Sequence, residues 1–316
     1  MIEIIAAVGI DWLLGDPPDW PHPIRFIGWI IRKVESLVRK FLTNLYAGGF
    51  ILLFTVIAVN VSLLLLIKLI IHPTFFKVIE IYMLYALLAA RCLSDEGHKV
   101  KKCIDEGNLE SSRKNFAYLV GRDTENCNEK DVIRGMVETI SENTVDGILA
   151  PLIYMILGSF FGHGLTFVLI YKTVNTLDSM VGYHQPPFKE IGFASAKMDD
   201  LLNFIPARIG SILMLISGAI LNFDFNRGVR TFIKDRKNHK SPNSGHPESA
   251  VAGLLGLQLG GDNTYFGVLV SKPTIGSKVN ELNSGHINDA IKIMYLSEIL
   301  LLISAFTINL MFGGGM

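Results

Sequence analysis

Charge is scarce in this sequence and leans neither way. Only 18% of its 316 residues are Asp, Glu, Lys or Arg, and 29 basic residues balance 29 acidic ones. Soluble domains usually carry ~25% charged residues. A neutral chain has no basic footprint, so nucleic acid is not an expected partner. Cysteine is scarcer: Cys92, Cys103 and Cys127 are scattered, with no Cys-x-x-Cys pair. That argues against a disulfide framework or a zinc site, and free thiols fit the reducing side of a membrane. No GxxxxGK[ST] loop occurs, since Gly276-Ser277-Lys278 lacks the first glycine at the required spacing. No Ser-His-Asp set announces itself. The opening residues MIEIIAAVGIDWLLGD lack a basic region and carry Glu3 and Asp11, unlike a cleavable signal peptide.

What the chain has in excess is apolar surface. Residues 50–71 read FILLFTVIAVNVSLLLLIKLII, uncharged until Lys68. A run of ~18 or more such residues is a transmembrane candidate, which excludes a disordered chain and an ordinary soluble enzyme. Residues 78–93 follow a proline-bearing link, His72–Lys77, and read as the second arm of an antiparallel helical hairpin. Arg25, Arg32, Lys33, Arg39 and Lys40 lie at its open end, as does the basic stretch 91–134. The positive-inside bias therefore puts that end in the cytoplasm. The run 209–223 is not oriented by this rule. If it crosses, the basic loop 227–240 lands outside, and a re-entrant segment would resolve the conflict. A last apolar stretch, 294–312, contains Glu298. The fold expected is all-α: a polytopic helical integral membrane protein, one helical membrane domain over 1–316, multi-pass in the cell membrane, with a polar cleft facing the cytoplasm.

The region 147–170 is long enough for one span, but Gly158, Gly162 and Gly164 cluster around Ser159-Phe160-Phe161 and His163, a turn composition. A break there gives one helix over about 129–157 and another over about 165–181. In the first, Glu138, Glu142 and Asp146 recur every four residues and share a face. With Asn143 on the first helix and Asn175 and Asp178 on the second, these groups fall at the same level, roughly 17–24 Å from the turn at ~1.5 Å per residue. Oxygen ligands at this density suit Mg²⁺, which is held by one or two carboxylates plus substrate phosphates. A solvated helix face is the plain alternative.

Three further polar blocks stand out. Gly121-Arg122-Asp123-Thr124-Glu125 offers a guanidinium fork for phosphate or carboxylate, the alternative being that Asp123 or Thr124 is a turn former or a helix N-cap. Asp199-Asp200-x-x-Asn203-x-x-x-x-Arg208 has adjacent acids suited to a metal, but they must point in different directions on a helix, so one of the two is expected to be an ordinary cap. Ser241-Pro242-Asn243-Ser244-Gly245-His246-Pro247-Glu248 is a polar loop entering a helix at Pro247, where an anion or only an N-cap could sit; His246 alone is more often structural. The octet NSGHPESA at 243–250 is echoed by NSGHINDA at 283–290.

These blocks carry a resemblance. DWLLGDPPDWPHPIRFIG at 11–28, ARCLSDEG at 90–97, GRDT at 121–124 and VETISENTVDGILAPL at 137–152 are similar to the CbiB (also called CobD) family of cobalamin biosynthesis. So are NTLDSMVGY at 175–183, ASAKMDDLLNFIPARI at 194–209 and SPNSGHPESAVAGLLGLQLGG at 241–261. The family often has Ala and Trp where this chain has Ser244 and His246. The resemblance implies an adenosylcobinamide-phosphate synthase, joining adenosylcobyric acid to an amino-alcohol phosphate with ATP and Mg²⁺. The roles expected are base or catalytic carboxylate for Glu138, Glu142 and Glu248, and metal ligand for Asp146, Asp178 and Asp200. Arg122, Thr124, Asn143, Asn175, Asp199, Asn203, Arg208, Ser241 and Asn243 are expected to bind substrate or its phosphates. The expected surroundings are the lipid bilayer, with a homo-oligomer or a complex with later cobalamin-assembly enzymes as further partners. The competing readings are a membrane transferase acting on a lipid pyrophosphate and a membrane transporter.

Overall fold

The computed structural model describes residues 1–183, 185–265 and 267–312. Among the described residues, three helical stretches are long and apolar enough to cross a membrane: Leu45–Ile70, Glu129–Ser159 and Gly285–Met311. The broken pair Phe193–Leu202 and Phe204–Ile220 would add a fourth. Strands among the described residues form only two short antiparallel pairs. The chain is an all-α polytopic membrane protein. It divides into two compact units, each assembled from two separate stretches of sequence.

The first unit takes residues 1–89 and 150–203. It contains α1 (Ile2–Leu14), α2 (Pro23–Phe41), α3 (Leu45–Ile70), α4 (Pro73–Tyr85), α8 (Ala150–Ser159), α9 (Gly164–Val181) and α10 (Phe193–Leu202). Pro23 and Pro73 open α2 and α4, where a missing N–H costs nothing. His22 and His72 cap those helices by accepting the amides of Ile24 and Thr74. The core helix α3 has mean hydropathy 2.8. It packs on α2 and α9 and leaves Phe50, Ile51, Phe54, Leu65, Leu66, Leu69 and Ile70 exposed. That contiguous apolar face is what lipid contact requires and water would penalise.

The turn at 158–164 is where the glycines put it. Helix α8 ends at Ser159, α9 begins at Gly164, and the His163 amide donates to the Gly158 carbonyl at 2.8 Å. The expected helix over 78–93 does not form as one piece. Helix α4 stops at Tyr85, and a new helix starts at Ala90. At 13 residues α4 is too short to span, and it packs mainly on α1, with the Tyr85 hydroxyl donating to the Gly15 carbonyl at 2.5 Å. Leu84 through Leu88 are all buried, so the break lies in an apolar segment with no Gly or Pro to announce it.

The second unit takes residues 90–149 and 204–316. Its helices are α5 (Ala90–Asp105), α6 (Leu109–Ala117), α7 (Glu129–Thr144) with a π-helical turn at Val145–Leu149, α11 (Phe204–Ile220), α12 (Phe225–Asp235), α13 (Gly245–Leu255) and α14 (Gly285–Phe312). Strand β1 (Gln258–Gly260) pairs with β4 (Thr274–Gly276), and β2 (Asn263–Tyr265) with β3 (Val268–Val270). Every residue of α13 is buried. Helices α7, α11, α12 and α14 surround it, and Leu254 fills notches at Gly218 of α11 and Gly228 of α12. The basic stretch 227–240, expected as a loop, is helical through Asp235. It buries Gly228, Thr231 and Asp235 on one face, and Arg227 turns inward to bond the Gly253 and Leu254 carbonyls of α13 at 2.7 and 3.2 Å. Both copies of the repeated octet open helices, at Gly245 and at Gly285, so the echo is a shared helix-start signal.

Candidate functional site

Helix α7 organises the second unit's polar centre. Neither Asp123 nor Thr124 caps it. Asn128 does, in a reciprocal box with Asp131. That frees the preceding loop to serve other ends. The Asp123 amide donates to the Thr264 carbonyl at 2.9 Å, and its carboxylate accepts the Gly267 amide at 2.8 Å. The Thr124 hydroxyl donates to the Arg113 carbonyl at 3.2 Å. The loop is therefore pinned to the β2–β3 hairpin on one side and to α6 on the other.

The pinned loop delivers Arg122 onto α7. Its guanidinium bonds Glu138 at 3.1 Å and also bonds the Asn263 side chain, and it lies 5.0 Å over the Phe116 ring. Arg122 and Glu138 are only 7% and 12% exposed, so the pair is shielded from solvent. Gly135 makes this seat. A Cβ there would overlap the Arg122 guanidinium and the Phe116 ring. Glu138 is a hub, also accepting the Gly260 amide at 2.8 Å and facing Arg134 at 3.8 Å. One turn on, Glu142 accepts the Ser244 hydroxyl at 2.6 Å. Ser244 thus contributes its side chain to the site instead of capping α13, which carries no side-chain cap bond.

Arg122, Glu138, Thr139, Glu142, Asn143, Glu248 and Lys272 line a cavity of about 180 Å³. Three carboxylates and two cations thus share one small space. Glu248, on the first turn of α13, is 5% exposed. Burial, and then the charges of Glu138 and Glu142, push its carboxyl well above the usual range, against the opposing pull of Lys272 and Arg122. His239 faces Glu248 at 4.0 Å. Burial lowers the pKa of that imidazole. Its Nδ1 accepts the Ser241 amide at 3.0 Å, so the neutral ring carries its proton on Nε2, toward Glu248.

The other expected site residues fall elsewhere. Asp146 lies in the π-helical turn, which ends the four-residue ladder begun by Glu138 and Glu142. The Arg208 guanidinium stacks 3.4 Å over Phe204, bonds that residue's carbonyl and reaches Asn243 at 3.4 Å. Ser241 accepts the Asn243 amide within its own loop. His246 is buried edge-on to Phe232, and burial, with Arg208, Arg236 and Lys237 adding to it, lowers its pKa to about 4; it is a neutral packing group.

In the first unit, Asp199 is buried and accepts Asn175 at 3.2 Å and Asn203 at 3.0 Å, and Asn203 also accepts the Tyr171 hydroxyl at 2.9 Å. Asp200, its neighbour, turns away to pair with Lys197 at 3.5 Å. The Asp178 carboxylate lies against Gly182 at the end of its own helix. Sequence reasoning missed Lys272, His239, Asn263 and Arg134. Only Arg134 gave a signal, since it precedes Glu138 by four residues on the same face.

A family model described as CobD/Cbib protein matches residues 4–294. The chain is 44% identical over 313 residues to the cobalamin biosynthesis protein CobD of Clostridium acetobutylicum, covering 96% of each chain. It is 41% identical over 308 residues to its namesake in Clostridium tetani, covering 96% of each. It is 41% identical over 295 residues to that of Listeria monocytogenes, covering 92% of each. No solved structure matches it.

Proposed function

The chain belongs to the CobD/CbiB family of cobalamin biosynthesis, and from that premise we propose that it is the membrane ligase joining adenosylcobyric acid to 1-amino-2-propanol O-phosphate, with consumption of ATP. The observation that carries this reading is the small cavity of Arg122, Glu138, Glu142, Glu248 and Lys272. An amino-alcohol phosphate is a compact zwitterion, and this cavity opposes carboxylates to a guanidinium and an ammonium within about 180 Å³. Typical ligand sites span ~300–1,000 Å³, so a small substrate fits it better than a nucleotide or a corrinoid.

The chemistry assigns a task to each group. A carboxylate resists attack by an amine until it is activated, and transfer of the ATP γ-phosphoryl group gives an acyl phosphate whose phosphate then leaves. Arg122 and Lys272 hold the phosphate of the amino alcohol. Glu248 accepts the ammonium proton, so the free amine can form the amide bond. Its raised pKa makes it a better base near neutral pH than an ordinary carboxylate. Glu138 positions Arg122 and Arg134. Glu142, oriented by the Ser244 hydroxyl, receives the ammonium.

Among the described residues no three His, Cys, Asp or Glu side chains gather as a metal-holding group. Mg²⁺ needs only one or two carboxylates when substrate phosphates complete its shell. Beside the phosphates of bound ATP it would neutralise charge developing on phosphoryl oxygens. The site opens to the cytoplasm, where ATP is found and where the positive-inside bias puts the Lys- and Arg-rich loops.

The test is turnover by detergent-purified protein given adenosylcobyric acid, 1-amino-2-propanol O-phosphate and MgATP. The expected result is adenosylcobinamide phosphate by mass spectrometry, formed in step with ADP. Absence of product with correctly folded protein overturns the reading. Turnover without vesicles also excludes a pure transporter.

A further inference from the structure

A second cavity adjoins the first across Arg122. It measures about 660 Å³ and is lined by the loop from Arg122 to Cys127, by Asp131 and Arg134 of α7, and by Asp262, Asn263, Thr264 and Gly267 of the hairpin region. That volume lies within the ~300–1,000 Å³ of ordinary ligand sites. Resting on the proposed ligase reading, we infer that this cavity seats the polyphosphate of the nucleotide, with Arg134 as a second guanidinium beside Arg122.

Four observations support it. Arg122 lines both cavities, so a phosphate held by it from either side stands at their common wall. Arg122 and Arg134 converge on the carboxylate of Glu138, at 3.1 Å and 3.8 Å, which sets the two guanidiniums side by side. The Arg134 Nε is buried and makes no hydrogen bond, although its Nη2 pairs with Asp131 at 3.1 Å. A buried donor of this kind is completed by an acceptor oxygen. The acids lining the cavity then divide into two groups. Asp123 is engaged by the Gly267 amide, and Asp131 by the α7 cap and Arg134. Glu125 and Asp262 stay exposed at the rim, where they would meet the divalent cation that accompanies a polyphosphate. Two guanidinium forks across from free carboxylates favour a metal-bound polyphosphate over a lone monophosphate.

Cys127 lines this cavity and not the smaller one, which gives a readout independent of turnover. Cys92 and Cys103 are replaced by serine, and Cys127 is alkylated with N-ethylmaleimide in detergent. The rate is measured with Mg²⁺ and a non-hydrolysable ATP analogue, with inorganic tripolyphosphate, or with 1-amino-2-propanol O-phosphate. At about ten times its Kd a ligand leaves roughly a tenth of the sites empty, so the first two should slow alkylation about tenfold. The amino-alcohol phosphate should leave the rate unchanged. Arg134→Gln should abolish the protection. Arg134→Lys, which keeps the charge but not the fork, should weaken it. Thermal melting of both variants checks that they fold.

Unaltered alkylation under the nucleotide analogue overturns the inference. So does protection by the amino-alcohol phosphate alone, or full protection in both Arg134 variants. The turnover assay on the same cysteine-reduced protein separates the two claims. Turnover without protection sinks this site and leaves the ligase standing, whereas protection without turnover does the reverse.

Discussion

At the scale of single residues, the site rests on one buried ion pair and one glycine. Removing a partner from a buried pair strands a charge, at a cost of ~3–5 kcal/mol. Gly135→Ala would do this indirectly, because the added methyl occupies the place of the Arg122 guanidinium. The expected outcome is a folded protein destabilised by roughly 3–5 kcal/mol, with turnover largely lost. Melting in detergent beside initial rates checks both parts. Glu248 allows a prediction with a definite sign. Its folded pKa is raised, so the folded state binds its proton more tightly than the unfolded chain does. Its contribution to stability is full below the ordinary carboxylate pKa of about 4.3 and is lost as pH rises through the elevated folded value. Glu248→Gln should therefore melt progressively higher than the unsubstituted protein as pH climbs above that range. A constant difference across pH would contradict the assignment. In the sequence, Glu248 was recognisable as a carboxylate at a helix start, but its company was not, because Lys272 and His239 reach it from loops with no periodic signal.

At the scale of elements, α13 is the piece on which the second unit is built. It is wrapped on all sides, and it carries Glu248 on its first turn. Leu254 at its far end fits between two glycines of its neighbours, 1% exposed. Leu254→Ala opens a void that rigid helix backbones cannot close, and roughly 2–5 kcal/mol of stability should be lost. Measured in detergent, a melting temperature that barely moves would mean the notch can collapse. The periodic elements were legible in advance. The glycine cluster at 158–164 fixed a turn, and the four-residue ladder from Glu138 to Glu142 held. The ladder failed at Asp146 because a π-helical turn, invisible to hydrophobic patterning, interrupts it at Val145–Leu149. The break after Tyr85 was missed for a related reason: it is made by tertiary burial of Leu84–Leu88, not by a local breaker.

At the scale of the whole molecule, apolar surface decides the environment and polar burial locates the chemistry. The long exposed faces of α3 and α14 fit lipid. The strongest charge constellation sits where α7, α13, the 121–127 loop and the 258–276 strands converge within one unit. The sequence named Arg122, Glu138, Glu142, Asn143 and Glu248 as site residues from three separated segments, and the fold gathers those five. It could not choose among the acids, since that choice depends on which carboxylates are already bonded to the scaffold. The central claim is that Arg122 binds the substrate phosphate through its planar fork. The most direct test is the Michaelis constant of Arg122→Lys for 1-amino-2-propanol O-phosphate, measured on protein whose melting shows it folded. Lysine keeps the charge and loses the bidentate geometry. The account predicts that this constant rises by about tenfold or more, equivalent to ~1.4 kcal/mol of binding; an unchanged constant would contradict it.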